Sequence, residues 1–110
     1  MKELLDNIAE FIESGEENLK KNRFNAAASD FFKAIVISCD YLIYKEIRIL
    51  PKNHNDRFSL LKKYFPDIYL KVSNLFKKYV DSYNLRLEQK DAISIKTYSY
   101  EIRTIIKNKK

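Results

Sequence analysis

A single histidine is available for proton transfer near neutral pH, His54. It lies among Arg48, Lys52, Asp56 and Arg57, the most polar cluster in the chain. An imidazole that takes and returns a proton, beside guanidinium groups that steady phosphate charge, is the equipment of RNA cleavage. Arg48, His54 and Arg57 are therefore the catalytic candidates. The same histidine could instead help to cap a following helix, or simply meet solvent.

Other chemistries find less material. Cys39 is the one cysteine and lies within a strongly apolar stretch, the setting of an inert core thiol rather than a nucleophile. One cysteine forms no internal disulfide, and one histidine supplies no multi-ligand zinc site. Glu13 and Glu17 share a helix face, but a metal or glycosidase site would need carboxylates converging from elsewhere, and a solvated acidic face explains them. No Gly-x-Ser-x-Gly elbow occurs. Gly15 is the only glycine, which excludes the phosphate-cradling loops of P-loop and dinucleotide folds. No cofactor or metal is expected.

A third constellation is basic and aromatic. Lys62, Lys63, Lys71, Lys78 and Arg86 are the candidate nucleic-acid contacts, interleaved with Tyr64 and Tyr83 and supported by Lys77, Lys90, Lys96 and Arg103. Lysines neutralise phosphates and tyrosines can stack on bases, the two needs of sequence-tolerant single-strand binding. Lys71 and Lys78 are seven residues apart and share a helix face. Most of the tyrosines also fall on apolar stripes, where they would serve the core. Charge is polarised along the chain: residues 1–50 carry seven basic and nine acidic side chains, residues 51–110 fourteen and six. The second half is thus +8 against −2, which points to an anionic partner, nucleic acid first among candidates.

The elements that must position these groups read as helices. Leu4, Ile8, Phe11, Gly15 and Leu19, widened by Leu5 and Ile12, make an apolar stripe over 3–21, opposite Glu3, Asp6, Glu10, Glu13, Glu16 and Glu17. Asn22 or Asn25 is the expected cap of a second helix running to about Ile47. Its two apolar stripes predict a central position, in contact with several neighbours. Pro51 marks a turn over 48–55, and Asn55 or Asp56 is placed to cap a short helix through Tyr64. Pro66 suits the first turn of a helix over 67–83, and Asp91 is the expected cap of the last helix. Residues 92–100 alternate as a strand would, but the continuation Ile102, Ile105, Ile106 favours helix. The tail over 107–110 is expected to fray.

The chain has 110 residues, 45% of them hydrophobic, enough for one core without disulfide or metal staples. With no Asn-Gly pair for tight hairpins, the expected fold is all-α: one domain over 1–110, an antiparallel bundle of four long helices and one short one. No apolar run reaches the length of a membrane span, and the acidic N-terminus is unlike a signal peptide, so the cytoplasm is the expected compartment.

Two stretches resemble the HEPN family of small prokaryotic helical bundles. NRFNAAASDFFKAIVISCDYLIYKE is similar to the family's alanine-rich second helix, and PKNHNDRFSLL to the segment that opens its next one. With YVDSYNLRLEQKD and the closing helix, the likeness spans about residues 5–106. It implies a helical bundle, nucleotide or RNA binding, homodimerisation, and a nucleotidyltransferase-type protein partner. Many members are toxin–antitoxin RNases whose signature is an arginine followed four to six residues later by histidine near the start of a late helix. Arg48 and His54, with five residues between them, match the spacing, but Pro51 interrupts the segment and it precedes the third helix. No histidine follows Arg86, where the late motif belongs. The resemblance therefore implies a non-catalytic binding member, with the RNase as an alternative. Residues 15–44 also resemble one tetratricopeptide-type helix pair, without a second copy, so a helical protein–protein adaptor is the other reading.

Overall fold

The computed structural model describes residues 1–109. Five helices follow in order: α1 (Lys2–Lys20), α2 (Phe24–Ile47), α3 (His54–Tyr64), α4 (Pro66–Asp81) and α5 (Gln89–Asn108). Among the described residues there is no strand, and 92–100 lies wholly inside α5. The core-facing positions are Ala92, Ile95, Tyr98, Ser99, Ile102 and Ile106, a helical spacing; the apparent alternation comes from apolar residues off that face, such as Ile93, 41% exposed. Residues 107 and 108, expected to fray, complete the last turn of α5; Lys110 lies outside the described residues.

The four long helices alternate in direction. Asp30 of α2 accepts hydrogen bonds from Ser14 and Asn18 of α1, and Leu5 and Ile8 lie near Tyr41, so α1 and α2 run opposite ways. Phe32 packs on Phe76 and Tyr79 while Asn25 reaches Ser82, which sets α4 antiparallel to α2. α5 then runs parallel to α2, from the Asn25 end to the Leu42 end. α2 touches each of the other four helices and is the centre of the core. Phe31, Phe32, Ile35, Leu42 and Ile43 on α2 are fully enclosed, together with Leu61, Val72, Ile95 and Ile102 from its neighbours.

Several local expectations are corrected. Neither Asn22 nor Asn25 caps α2: Asn22 takes a left-handed conformation (φ 58°), and Arg23 occupies the cap position without a side-chain bond. Asn25 lies inside the first turn and clasps the α4–α5 connection. It donates to the carbonyls of Ser82 and Leu85 and accepts from the amide of Leu87. The cap of α3 is Asn53, whose side chain accepts from the Asp56 amide, and His54 is the first helical residue rather than part of a turn. Glu88 caps α5, and Asp91 completes a capping box by accepting from the Glu88 amide. Asp91 is therefore the inner, third-position member of the box and not the cap itself. Glu16 leaves the acidic face of α1: it accepts from Tyr100 and pairs with Lys96, 3.0 Å away, both on α5.

Gly15 of α1 lies directly against Phe31 of α2. A Cβ there would stand 2.7 Å from the ring of Phe31. The glycine is required by packing, since its backbone is ordinary helix.

Candidate functional site: the valley over α2

Asp40 is the only charged residue between Lys33 and Lys45 on α2, and it faces α3. Its carboxylate receives Arg57 in a two-pronged pair, Nε at 2.6 Å and Nη2 at 3.0 Å. Both side chains are nearly enclosed, 11% exposed for Arg57 and 16% for Asp40. A carboxylate withdrawn from water needs such a partner, and the planar guanidinium supplies parallel donors. The remaining terminal nitrogen, Nη1, lies 2.9 Å from Nδ1 of His54. A guanidinium can only donate, so Nδ1 accepts, and the proton of the neutral ring is on Nε2. Burial, then the charge of Arg57, hold the imidazole below its ordinary pKa, partly opposed by Asp40. The ring rests against Phe76 and Phe58, with centroids 5.3 and 6.2 Å away.

This relay forms one rim of a valley of about 410 Å³. Phe32, Val36 and Ile37 of α2 make its floor; Phe11 of α1 and Tyr79 of α4 stand at its sides. Tyr79 stacks on Phe32 at 4.7 Å, and its hydroxyl pairs with that of Tyr83 at 2.9 Å. That bond, together with burial, pushes the Tyr79 phenol up to about 12. Across the valley, the Lys33 ammonium lies 5.5 Å above the ring of Phe11. Among the described residues Lys33 has no carboxylate partner, so its charge is available to a ligand.

The structure joins His54 to Arg57 and turns Arg48 elsewhere. Arg48 ends α2 in the left-handed region (φ 62°), its guanidinium 5.6 Å from the Tyr44 ring. Among the described residues no hydrogen bond or ion pair links it to His54. The five candidate nucleic-acid contacts divide between places. Lys62 and Lys63, in the last turn of α3, lie over Tyr69 and Tyr64 at 5.8 and 5.3 Å. Lys71 and Lys78 do share the α4 flank that meets α5: Lys71 lies 5.9 Å from the Tyr98 ring, and Lys78 is 3.4 Å from both Asp91 and Ser94. Arg86 is exposed beyond the far end of α4. The flank carrying Lys71 and Lys78 is not the one that carries Tyr79 into the valley. Cys39 is fully buried, and burial pushes its thiol far above the ordinary range, so it is inert.

No protein-family model, no curated protein and no solved structure matches the chain. The HEPN resemblance accordingly stands as a proposal.

Sequence reasoning missed Phe11, Lys33 and Asp40. The signal for Asp40 was legible: a lone acid in an apolar helix predicts a cation arriving from elsewhere. Arg57 fills that role. Lys33 and Phe11 gave no comparable signal, because their nearness is a product of how α1 crosses α2. No helix among the described residues is long and apolar enough to cross a membrane.

Proposed function

We propose that this protein is a non-catalytic, HEPN-like binding module that engages a nucleotide or a short stretch of RNA in the valley over α2. One observation carries the reading: Lys33 and His54 both line, with aromatic and aliphatic side chains, a recess sized for a small ligand. Planar bases gain from stacking, and phosphate from paired donors. Lys62, Lys63, Lys71 and Arg86 would extend the electrostatic field beyond the valley. The protonation of His54 favours binding over cleavage. Nδ1 is occupied by Arg57 and Nε2 carries a proton, so the ring offers no free lone pair to a ribose hydroxyl.

Fluorescence anisotropy with a short labelled single-stranded RNA, titrated at several salt concentrations, tests this. Affinity should fall log-linearly with salt, and Lys33→Gln should weaken binding and reduce the salt slope by about 1. Binding absent even at low salt, or indifferent to salt, would overturn the reading. Recovery of shortened RNA with the wild type but not with His54→Ala would establish the RNase instead.

A second reading is the adaptor. Phe11, Val36 and Ile37 are partly exposed along the valley, and an apolar helix of another protein could lie there. Such a complex would respond weakly to salt. The resemblance adds a second copy of this chain and a nucleotidyltransferase-type protein as partners, and light scattering that returns a monomer would remove the first.

A further inference from the structure

A separate recess of about 290 Å³ opens between α1, α2 and α5, at the end of the bundle where α1 begins and α5 finishes. Its lining is apolar on the α1 side, where Leu5, Ile8 and Ala9 contribute, and Ile106 continues that surface on α5. Leu5, 39% exposed, gives the recess accessible apolar surface. Two cations stand at the mouth, Arg103 and Lys107, one helical turn apart. Arg103 packs its guanidinium 4.8 Å from the Tyr100 ring, a contact that satisfies none of its donors. Among the described residues neither cation pairs with a carboxylate. Tyr41, on α2, completes the wall.

An apolar trough closed by two free cations is complementary to a molecule with the same division. We propose that this recess binds a small anionic amphiphile, with its short hydrocarbon tail against Leu5, Ile8 and Ile106 and its carboxylate or phosphate between Arg103 and Lys107. The volume sits at the lower edge of the range for small-molecule sites, about 300 Å³, which fits a short chain rather than a long one. The tail removes exposed leucine surface from water, and the head gains charge-assisted hydrogen bonds from the two cations. The site shares no residue with the valley and does not depend on what the valley binds.

Octanoate, far below micelle formation, is the probe, followed by amide chemical shifts of isotope-labelled protein. Saturable shifts confined to Leu5, Ile8, Ala9, Tyr41 and Arg103 are expected, with 1-octanol and octyltrimethylammonium at least about tenfold weaker. Arg103→Gln with Lys107→Gln should weaken octanoate about tenfold and leave octanol unchanged. Lys107 is exposed and Arg103 half-buried, and the dispersion of the spectrum confirms the fold of the variant. Lys33→Gln should leave octanoate binding as it was. The proposal is overturned by unsaturable shifts, by shifts in the valley, by equal binding of acid and alcohol, or by a double variant that binds like the wild type. The same shifts arising with protein concentration alone would assign the recess to a second copy and equally overturn it.

Discussion

At the scale of single residues, the Asp40–Arg57–His54 relay decides how α3 sits on α2. Removing the carboxylate leaves the Arg57 guanidinium enclosed without its counter-charge, whereas removing both charges leaves only a packing problem. Asp40→Ala should therefore cost about 3 kcal/mol in urea denaturation followed by circular dichroism. Asp40→Leu combined with Arg57→Met should recover most of that loss. A double variant no better than the single one would mean that the pair itself is net stabilising. His54 adds a pH dependence whose sign follows from its lowered pKa. Well above pH 6.5, by about a unit or more, the ring is neutral in both folded and unfolded chains, and its contribution is complete. As pH falls from there the unfolded chain gains a proton that the folded protein resists, so stability declines until the folded ring is protonated as well. Protonation also gives Nδ1 a hydrogen, which ends its acceptance from Arg57. His54→Asn should flatten this limb of a stability–pH curve, and an unchanged curve would remove His54 as its origin.

Helices are where sequence and structure agree best, and their ends are where they part. The apolar stripes of α1, α2 and α4 were legible because burial on one side of a helix repeats every three to four residues. Gly15 also belongs to its stripe, but the sequence alone does not say that Phe31 presses against it. Its substitution separates propensity from packing. In an open helix Gly→Ala gains about 1 kcal/mol. Here the added methyl meets an enclosed ring, and overpacking of this kind costs about 1–3 kcal/mol. Gly15→Ala should thus lower the melting temperature, and a rise would show that Phe31 yields more easily than its burial implies. Helix ends were harder to place for a physical reason. Asn25 has the side chain of a cap but finds three backbone partners on the α4–α5 connection, and tertiary bonding outcompetes the local one. Asp91 has the same ambiguity in another form. Its carboxylate is held below the usual range first by the Glu88 amide and further by Lys78, so it acts as the inner member of the box. The candidate site suffered most, because Phe11, Lys33, His54 and Tyr79 come from four helices and no spacing along the chain encodes their meeting.

For the whole molecule, the consequential fact is that every helix packs on α2. The radius of gyration, 13.3 Å, matches the roughly 13 Å of a single compact domain of this length, so no helix stands away from the rest. Unfolding should be one cooperative transition. Helix loss by far-ultraviolet circular dichroism and the change in tyrosine fluorescence should then share a single midpoint. Separate midpoints would mean that the α3–α4 hairpin detaches on its own. Charge is a property of the same scale: α1 carries an excess of acids, and α3 to α5 an excess of bases.

Asn25 has one more implication, for the order in which the fold can be completed on the ribosome. Its three partners lie 57 to 62 residues further along, and the parallel seam between α2 and α5 spans a similar separation. While the chain emerges, α1 and α2 can pair as soon as both are out, but the side of α2 that α5 will cover stays open until the last helix has been made. The central helix is therefore the first large apolar surface to appear and the last to be sealed, so a stalled chain ending before residue 89 presents it to whatever is nearby.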